Sequence, residues 1–304
     1  MGTKNKLKRM DKGTIMKIGI IGQGYVGTAV KSVFEKHYET NTYDLNGNCN
    51  CKSMEELIDN SNIIFVCVPT PMKKDRSCDT SIVENVIAEL NDLALVRQCS
   101  NRIIAIKSTI PPGTTNRLNK ECDYVSVIFN PEFLTEANFI EDFKNQSRII
   151  IGGERPSTTK LRQVYSLAFP DAKIVKTGSI TAEMVKYFTN TFLATKVSFA
   201  NEMKQICDEL NIDYDKVVEY STYDERLGKS HWAVPGPDGK LGFGGSCFPK
   251  DINALVHLCE EFNFTTNVLI AAIETNLDVR PEEDWKELKG RAVTDDNQLE
   301  FDFS

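Results

Sequence analysis

The 304-residue sequence has only three histidines, His37, His231 and His257, and two tryptophans. Its one close cysteine pair is Cys49 and Cys51, and the spacing to the histidines does not fit a closed zinc site, so no metal centre is expected. The longest apolar runs, such as Ile63–Val68, fall far short of the ~20 residues that span a bilayer, which excludes a membrane-spanning helix. A basic surplus is also missing. With 36 basic against 43 acidic residues the net charge is -7, which argues against a dedicated nucleic-acid binder and leaves room for a local basic pocket facing a small anion. The nine cysteines are odd in number and irregularly spaced, and the Lys-rich start has no apolar signal core. Both features point to free thiols in a reducing, cytoplasmic compartment. No internal repeat is visible.

What is present is the texture of an α/β protein of about two domains. Residues 1–14 carry five basic residues and little to bury, and read as a solvated or tag-like arm. Lys6 stands where N-myristoylation would need Ser or Thr. From Ile15, short apolar runs alternate with helical periods. Strands are expected at Ile15–Ile21, Glu39–Tyr43, Asn62–Val68, Arg102–Lys107, Tyr124–Phe129, Arg148–Gly152 and Ala172–Val175. Helices are expected at Val26–His37 and Ser81–Leu93. This is a Rossmann-type, doubly wound parallel sheet over residues 15–178.

An all-helical domain follows over residues 179–281. Thr181–Asn211 has neither Pro nor Gly and predicts one helix of roughly 45 Å, suited to a domain spine or a subunit contact. Further helices are expected at Asp213–Ser221, Phe248–Phe262 and Thr265–Asp278, with a Gly/Pro-rich loop from Gly228 to Ser246. Residues 282–304 read as a charged tail without a trustworthy period.

The string Gly22-Gln23-Gly24-Tyr25-Val26-Gly27 is a G-x-G-x-x-G sequence between a strand and a helix. Its glycines allow a tight turn and close backbone approach to a pyrophosphate at the positive helix end. Asp44, twenty-two residues after Gly22, ends the second strand where a carboxylate accepts from ribose hydroxyls, and no Arg follows to meet a 2′-phosphate. NAD is therefore the expected cofactor.

In Gly242–Asp251, Pro249 is a natural first-turn residue, which puts Cys247 at a helix N-terminus near Lys250. That setting favours a thiolate. Cys247 is read either as a nucleophile or as a buried structural thiol. Lys186 and Asn190 share one face of the long helix, four residues apart. Glu132 and Glu136 have the same spacing in a helix that Asn130 would cap and Pro131 would open, though first-turn acids also simply suit the helix dipole.

These segments, with Phe65–Pro71, Lys107–Thr115 and Ala182–Glu183, resemble the UDP-glucose/GDP-mannose dehydrogenase family from about Lys17 to about Asp278. Ser246–Asp251 is similar to the UDP-glucose branch, whereas the GDP-mannose and N-acetyl-sugar branches tend to carry Leu or Ile after the Cys. The resemblance implies a four-electron oxidation of a sugar C6 alcohol to a carboxylate with two NAD, UDP-glucose becoming UDP-glucuronate. It implies that Lys186, Asn190 and Asp251 act around an ordered water. Cys247 would carry a thiohemiacetal and then a thioester, and Glu132 would activate the hydrolytic water that Thr109 positions. It also puts Thr70, Thr109 and Glu136 beside the nicotinamide, and Phe243 and Gly244 with the substrate. Arg226 would reach the substrate of a neighbouring subunit in a homodimer built on the helix of residues 181–211.

Family members continue into another α/β domain that grips the nucleotide. The present sequence stops soon after the helices, so the resemblance implies a short form lacking that domain. The long loop His231–Gly239 is expected to close over the nucleotide in partial compensation. Other readings from the sequence are a GDP-mannose or UDP-N-acetylhexosamine dehydrogenase, a β-hydroxyacid dehydrogenase needing no nucleophilic Cys, and a non-catalytic NAD-binding remnant.

Overall fold

The computed structural model describes residues 9–10 and 14–295. They divide into two compact units, one up to Thr70 with Thr80–Lys186, the other Pro71–Asp79 with the chain from Tyr187. In the first unit the strands are β1 (Arg9–Met10), β2 (Thr14–Ile15), β3 (Lys17–Ile21), β4 (Glu39–Tyr43), β5 (Ile63–Val66), β6 (Arg102–Ile106), β7 (Val125–Phe129), β8 (Arg148–Gly152) and β9 (Lys173–Thr177). β1 and β2 form a small antiparallel pair, so part of the expected arm is strand, and the rest of that arm lies outside the described residues. The other seven strands make one sheet in the order β4-β3-β5-β6-β7-β8-β9, parallel except for β7 against β8.

The strand burial explains the layering. Every residue of β5, Ile63-Ile64-Phe65-Val66, is buried, as in a parallel strand covered on both faces. Ile63 and Phe65 point into one core with Ile18, Ile20, Phe34 and Tyr165. Ile64 and Val66 point into the other, with Leu57, Ile87, Leu90 and Ile104. Helices α1 (Tyr25–Phe34), α2 (Met54–Asp59), α3 (Ser81–Val96), α4 (Thr114–Glu121), α5 (Phe139–Lys144) and α6 (Ser157–Ala168) complete the unit. Phe34 anchors the first core, stacked on Phe65 at 5.3 Å and edge-on to Tyr165 at 5.2 Å. The chain order reverses direction at β3, which has β4 on one side and β5 on the other. That is the topological switch point at which ligands bind beyond the carboxyl ends of strands.

The long helix α7 runs from Ser179 to Glu209, 31 residues, and its start belongs to the first unit. The expected domain limit at 178 therefore falls about two turns early. Ala182 is fully buried against the sheet core, which ties those turns to it. In the second unit, α8 (Tyr214–Ser221), α9 (Phe248–Glu261) and α10 (Asn267–Val279) pack with the rest of α7. The tail differs from expectation. Residues Asp284–Glu287 form a 3-10 turn, Trp285 and Ala292 are buried, and Val293 bridges to Met72. One aromatic anchor in a charged stretch leaves no period to read. Residues 296–304 lie outside the described residues. Among the described residues no helix is long and apolar enough to cross a membrane, and no cluster suits a metal ion.

Candidate active site

The glycine motif is built as its spacing predicts. Gly22 has φ +88°, and a Cβ there would sit 2.6 Å from the Cys67 carbonyl oxygen. At Gly27 a Cβ would lie 1.8 Å from the Gly22 oxygen, so only glycine lets α1 approach the turn. Gly24 instead faces open space, the place where a phosphate can meet bare backbone. Tyr25 and Val26 open α1 immediately after it. Asp44 turns back to this loop, its Oδ2 accepting from the Gln23 N–H at 2.6 Å and its Oδ1 from the Asn46 N–H at 2.7 Å. The carboxylate is thus oriented at the switch point by two main-chain donors.

Three residues that the resemblance assigns to the site follow successive strand ends, Thr70 after β5, Thr109 after β6 and Glu132 after β7, and all three are buried. The expected helix at Pro131 does not exist. Residues 130–138 are an irregular loop, so Glu132 and Glu136 share no helical face, and Glu136 is exposed while Glu132 is buried. Burial overrides the capping signal, because the Asn130 side chain is spent inside. It donates to the Ile150 carbonyl at 2.8 Å and accepts from Tyr165 and Lys107.

Lys107, at the start of the Lys107–Thr115 segment, carries no sequence signal of its buried partner. Its ammonium lies 2.9 Å from Glu132 Oε2, with both side chains buried. The contact is an ion pair rather than an aligned hydrogen bond, since Oε2 finds no donor of good geometry while Oε1 accepts from the Phe133 N–H at 2.8 Å. Lys107 also donates to Asn130 O and Oδ1, each at 3.2 Å, and to Tyr165 OH at 3.3 Å. Burial alone would favour the neutral amine, but the charge of Glu132 overrides it and holds Lys107 protonated well above the usual lysine range. Burial pushes the thiol of the nearby, half-buried Cys67 up to about 12, which favours its protonated form. Lys186 is fixed in the same unit, its Nζ donating to the main-chain oxygen of Glu132 at 2.5 Å and lying 5.4 Å from the Phe133 ring.

One turn before Lys186 on α7, Glu183 is completely buried. Its carboxylate accepts from Gly113 N at 2.6 Å and from Thr115 N and Oγ1 at 2.8 and 2.6 Å. It caps α4 from outside and ties the Thr109 loop to the helix bearing Lys186.

In the second unit Cys247 occupies the N-cap position of α9, half-buried, with Pro249 in the first turn. Asp251, one turn on, is buried, and its two oxygens are divided. Asn190 Nδ2 donates to Oδ2 at 2.6 Å and Lys250 Nζ to Oδ1 at 2.5 Å. Burial would favour a neutral Lys250, but Asp251 and then Cys247 raise its pKa and keep it charged. Among the described residues no two cysteines are joined.

Phe243 is clamped by Asn276, whose Oδ1 accepts from the Phe243 N–H at 2.6 Å and whose Nδ2 donates to its carbonyl at 3.0 Å. Gly244 leaves space for the Arg280 guanidinium, which a Cβ would meet at 2.4 Å. Buried Arg280 in turn holds Asp284 at 2.7 Å and Asp238 at 2.8 Å, a latch with no motif to announce it. Arg226 extends into solvent, paired with Asp224. The loop at His231–Gly239 is largely exposed and is anchored to its own unit at a few points. Trp232 donates to Gly228 O at 2.8 Å, Tyr214 donates to Trp232 O at 2.7 Å, and Val234 is buried.

Residues 40–168 match the model of the UDP-glucose/GDP-mannose dehydrogenase family, NAD binding domain, and residues 180–278 match that of the same family's central domain. A UDP-glucose 6-dehydrogenase of Rickettsia bellii is 37% identical over 227 residues, covering 73% of this chain and 50% of the relative. YtcA of Bacillus subtilis is 31% identical over 297 residues, 86% of this chain and 67% of YtcA. The structure of a UDP-glucose dehydrogenase from Pyrobaculum islandicum superposes with TM-score 0.78 at 29% identity, over 88% of this chain and 70% of that one. The chain spans half the length of the Rickettsia relative. With both family domains matched in order and the Cys247 and glycine motifs built on the elements that their chemistry requires, the chain belongs to the UDP-glucose/GDP-mannose dehydrogenase family.

Proposed function

We propose that the protein oxidises the C6 alcohol of UDP-glucose to the carboxylate of UDP-glucuronate with NAD as acceptor. The observation that carries this reading is Cys247 at the N-cap of α9, one turn from the buried Asp251–Asn190 pair. A dehydrogenase that stops at an aldehyde or ketone has no use for such a thiol. Similarity to relatives named UDP-glucose 6-dehydrogenase supports the choice of sugar.

The Gly22–Gly27 turn, the open space at Gly24 and the oriented Asp44 fit a dinucleotide, and Thr70, Thr109 and Glu136 are assigned to its nicotinamide end. NAD, when bound, supplies the hydride acceptor for each of the two oxidations. Lys186 and Asn190 hold the C6 hydroxyl and a water, and the hydroxyl proton passes by way of that water to the Asp251 carboxylate. The Cys247 thiolate adds to the aldehyde carbon, forming the C–S bond of a thiohemiacetal whose oxidation leaves a thioester. Glu132, with Thr109, removes a proton from water as it attacks that carbon, and the C–S bond breaks to release the carboxylate and the thiolate. Phe243 and Gly244 belong to the sugar-nucleotide contacts.

The partner in this reading is a second copy of the chain. Phe188, Phe192, Phe199 and Ile206 are exposed along α7 at spacings that share one face, and Leu210 follows just past its end, with Phe188 66% and Leu210 64% exposed. Pairing two such stripes covers them, and Arg226 is offered to the partner's substrate.

Turnover tests the proposal. Two NADH should form per UDP-glucose, with GDP-mannose and UDP-N-acetylhexosamines inert, and Cys247→Ser should release no carboxylate. NAD binding without NADH from any nucleotide sugar would reject it in favour of a non-catalytic role.

A further inference from the structure

Glu132 sits in the irregular loop of residues 130–138, so neither a helix nor a strand ladder fixes it. A base that removes a proton from water has to be held in one geometry, and on a loop that task falls to side chains around it. Two lysines perform it. Lys186 holds the Glu132 main-chain oxygen, and Lys107 stands at the carboxylate.

Lys107 is itself rigidly built in. It directly follows β6, its main-chain N–H donating to the Val66 oxygen at 2.9 Å. The ammonium lies 5.6 to 6.0 Å from the rings of Phe65, Phe143 and Tyr165. Its three acceptors, Asn130 O, Asn130 Oδ1 and Tyr165 OH, come from the loop after β7 and from α6. Asn130 is tied down in turn by its bonds to Ile150 O and Tyr165 OH. Three donors thus meet three acceptors, and Glu132 Oε2, 2.9 Å away, is held by charge without an aligned donor. A salt bridge that served stability alone would gain from aligned bonds to both oxygens. Here Oε1 is taken by the Phe133 N–H, while Oε2 keeps its lone pairs open.

We infer that Lys107 is a positioning residue for hydrolysis, its anchored charge holding the Glu132 carboxylate while leaving Oε2 as the atom that accepts from the attacking water. The role rests on the proposed reaction. In that step the water oxygen bonds to the thioester carbon and one water proton passes to Oε2. The C–S bond breaks, Cys247 leaves as the thiolate, and Glu132 returns its proton to solvent before the next cycle. Lys107 touches none of the reacting atoms and keeps its own protons throughout.

Lys107→Gln removes the charge and keeps a polar side chain, and the test is made on the full chain well below the melting temperature of the variant. Oxidation of the sugar does not need Glu132, so a burst of two NADH per subunit should be followed by turnover slowed about 100-fold or more. Intact-mass spectrometry should find Cys247 carrying the UDP-glucuronyl group, which hydroxylamine releases. Because only the later step is slowed, kcat and KM for UDP-glucose should fall together and leave kcat/KM within about threefold of wild type. Lys107→Arg, which keeps the charge, should turn over about tenfold faster than Lys107→Gln. The role is overturned by unchanged turnover in Lys107→Gln, by a fall in kcat/KM without the adduct, as general damage to the fold would give, or by equal slowing in the Arg and Gln variants. A wild type that forms no NADH from UDP-glucose would instead reject the reaction itself, and the role of Lys107 with it.

Discussion

Replacing Lys107 by Met tests whether the Glu132 carboxylate depends on its buried counter-ion. The side chain is 1% exposed and that of Glu132 7%, so Lys107→Met leaves a charge in the core with no solvent to take it. Removing one partner of a buried pair costs about 3–5 kcal/mol, here with the contacts to Asn130 and Tyr165 also lost. At roughly 2–4 °C per kcal/mol, the expected fall in Tm is about 10 °C near neutral pH. In the wild type the raised Lys107 pKa moves its titration above the ordinary lysine range, so its stabilisation is lost only at strongly alkaline pH. Lys107→Met/Glu132→Gln should recover more than half of the loss, which a double-mutant cycle by differential scanning calorimetry measures. A deficit below about 1 kcal/mol, or no recovery in the double variant, would refute the ion-pair account.

Glu183→Ala leaves Gly113 N and Thr115 N without their carboxylate and should cost about 3 kcal/mol in urea unfolding, with Glu183→Gln losing about half as much. Equal losses in the two would show that packing, not the cap, matters. Asp284 is held down to about 2 by its hydrogen bonds to Arg280 and Lys240, against the cost of burial. Its folded value lies below its unfolded one, so its stabilisation is full above about pH 4 and is lost as pH falls toward 2. After discounting for its partial exposure this amounts to about 1–2 kcal/mol, and Asp284→Asn should flatten that part of the acid-unfolding curve.

Much was legible because it is written locally. Lys17–Ile21, the glycines and α1 follow one another in the chain, and each glycine is needed by contacts made within a few residues or at the next strand. The central strands β5, β6 and β8 read out as apolar runs, β8 to the residue, because strands covered on both faces need little but hydrophobicity, whereas the edge strand β4, Glu-Thr-Asn-Thr-Tyr, is polar. The 31-residue helix was visible from the absence of breakers, and the Cys247 N-cap from Pro249. The Asp251–Asn190 bond needed the resemblance and then the fold, since its partners are 61 residues apart.

Tertiary structure decided what local rules could not express. Asn130-Pro131 has the form of a helix start, yet the Asn130 amide satisfies Ile150 and Tyr165 in the core, and an internal hydrogen-bond demand outweighs a surface cap. The Glu183 carboxylate bonds Gly113 across 70 residues and leaves no periodic trace in the sequence. The charged stretch after Pro281 became structure because Trp285 and Ala292 found a buried place and Arg280 two carboxylates. Patterning within a segment specifies which elements form. Which charges are buried together depends on pairs of residues distant in sequence, and only the folded chain brings those pairs within reach.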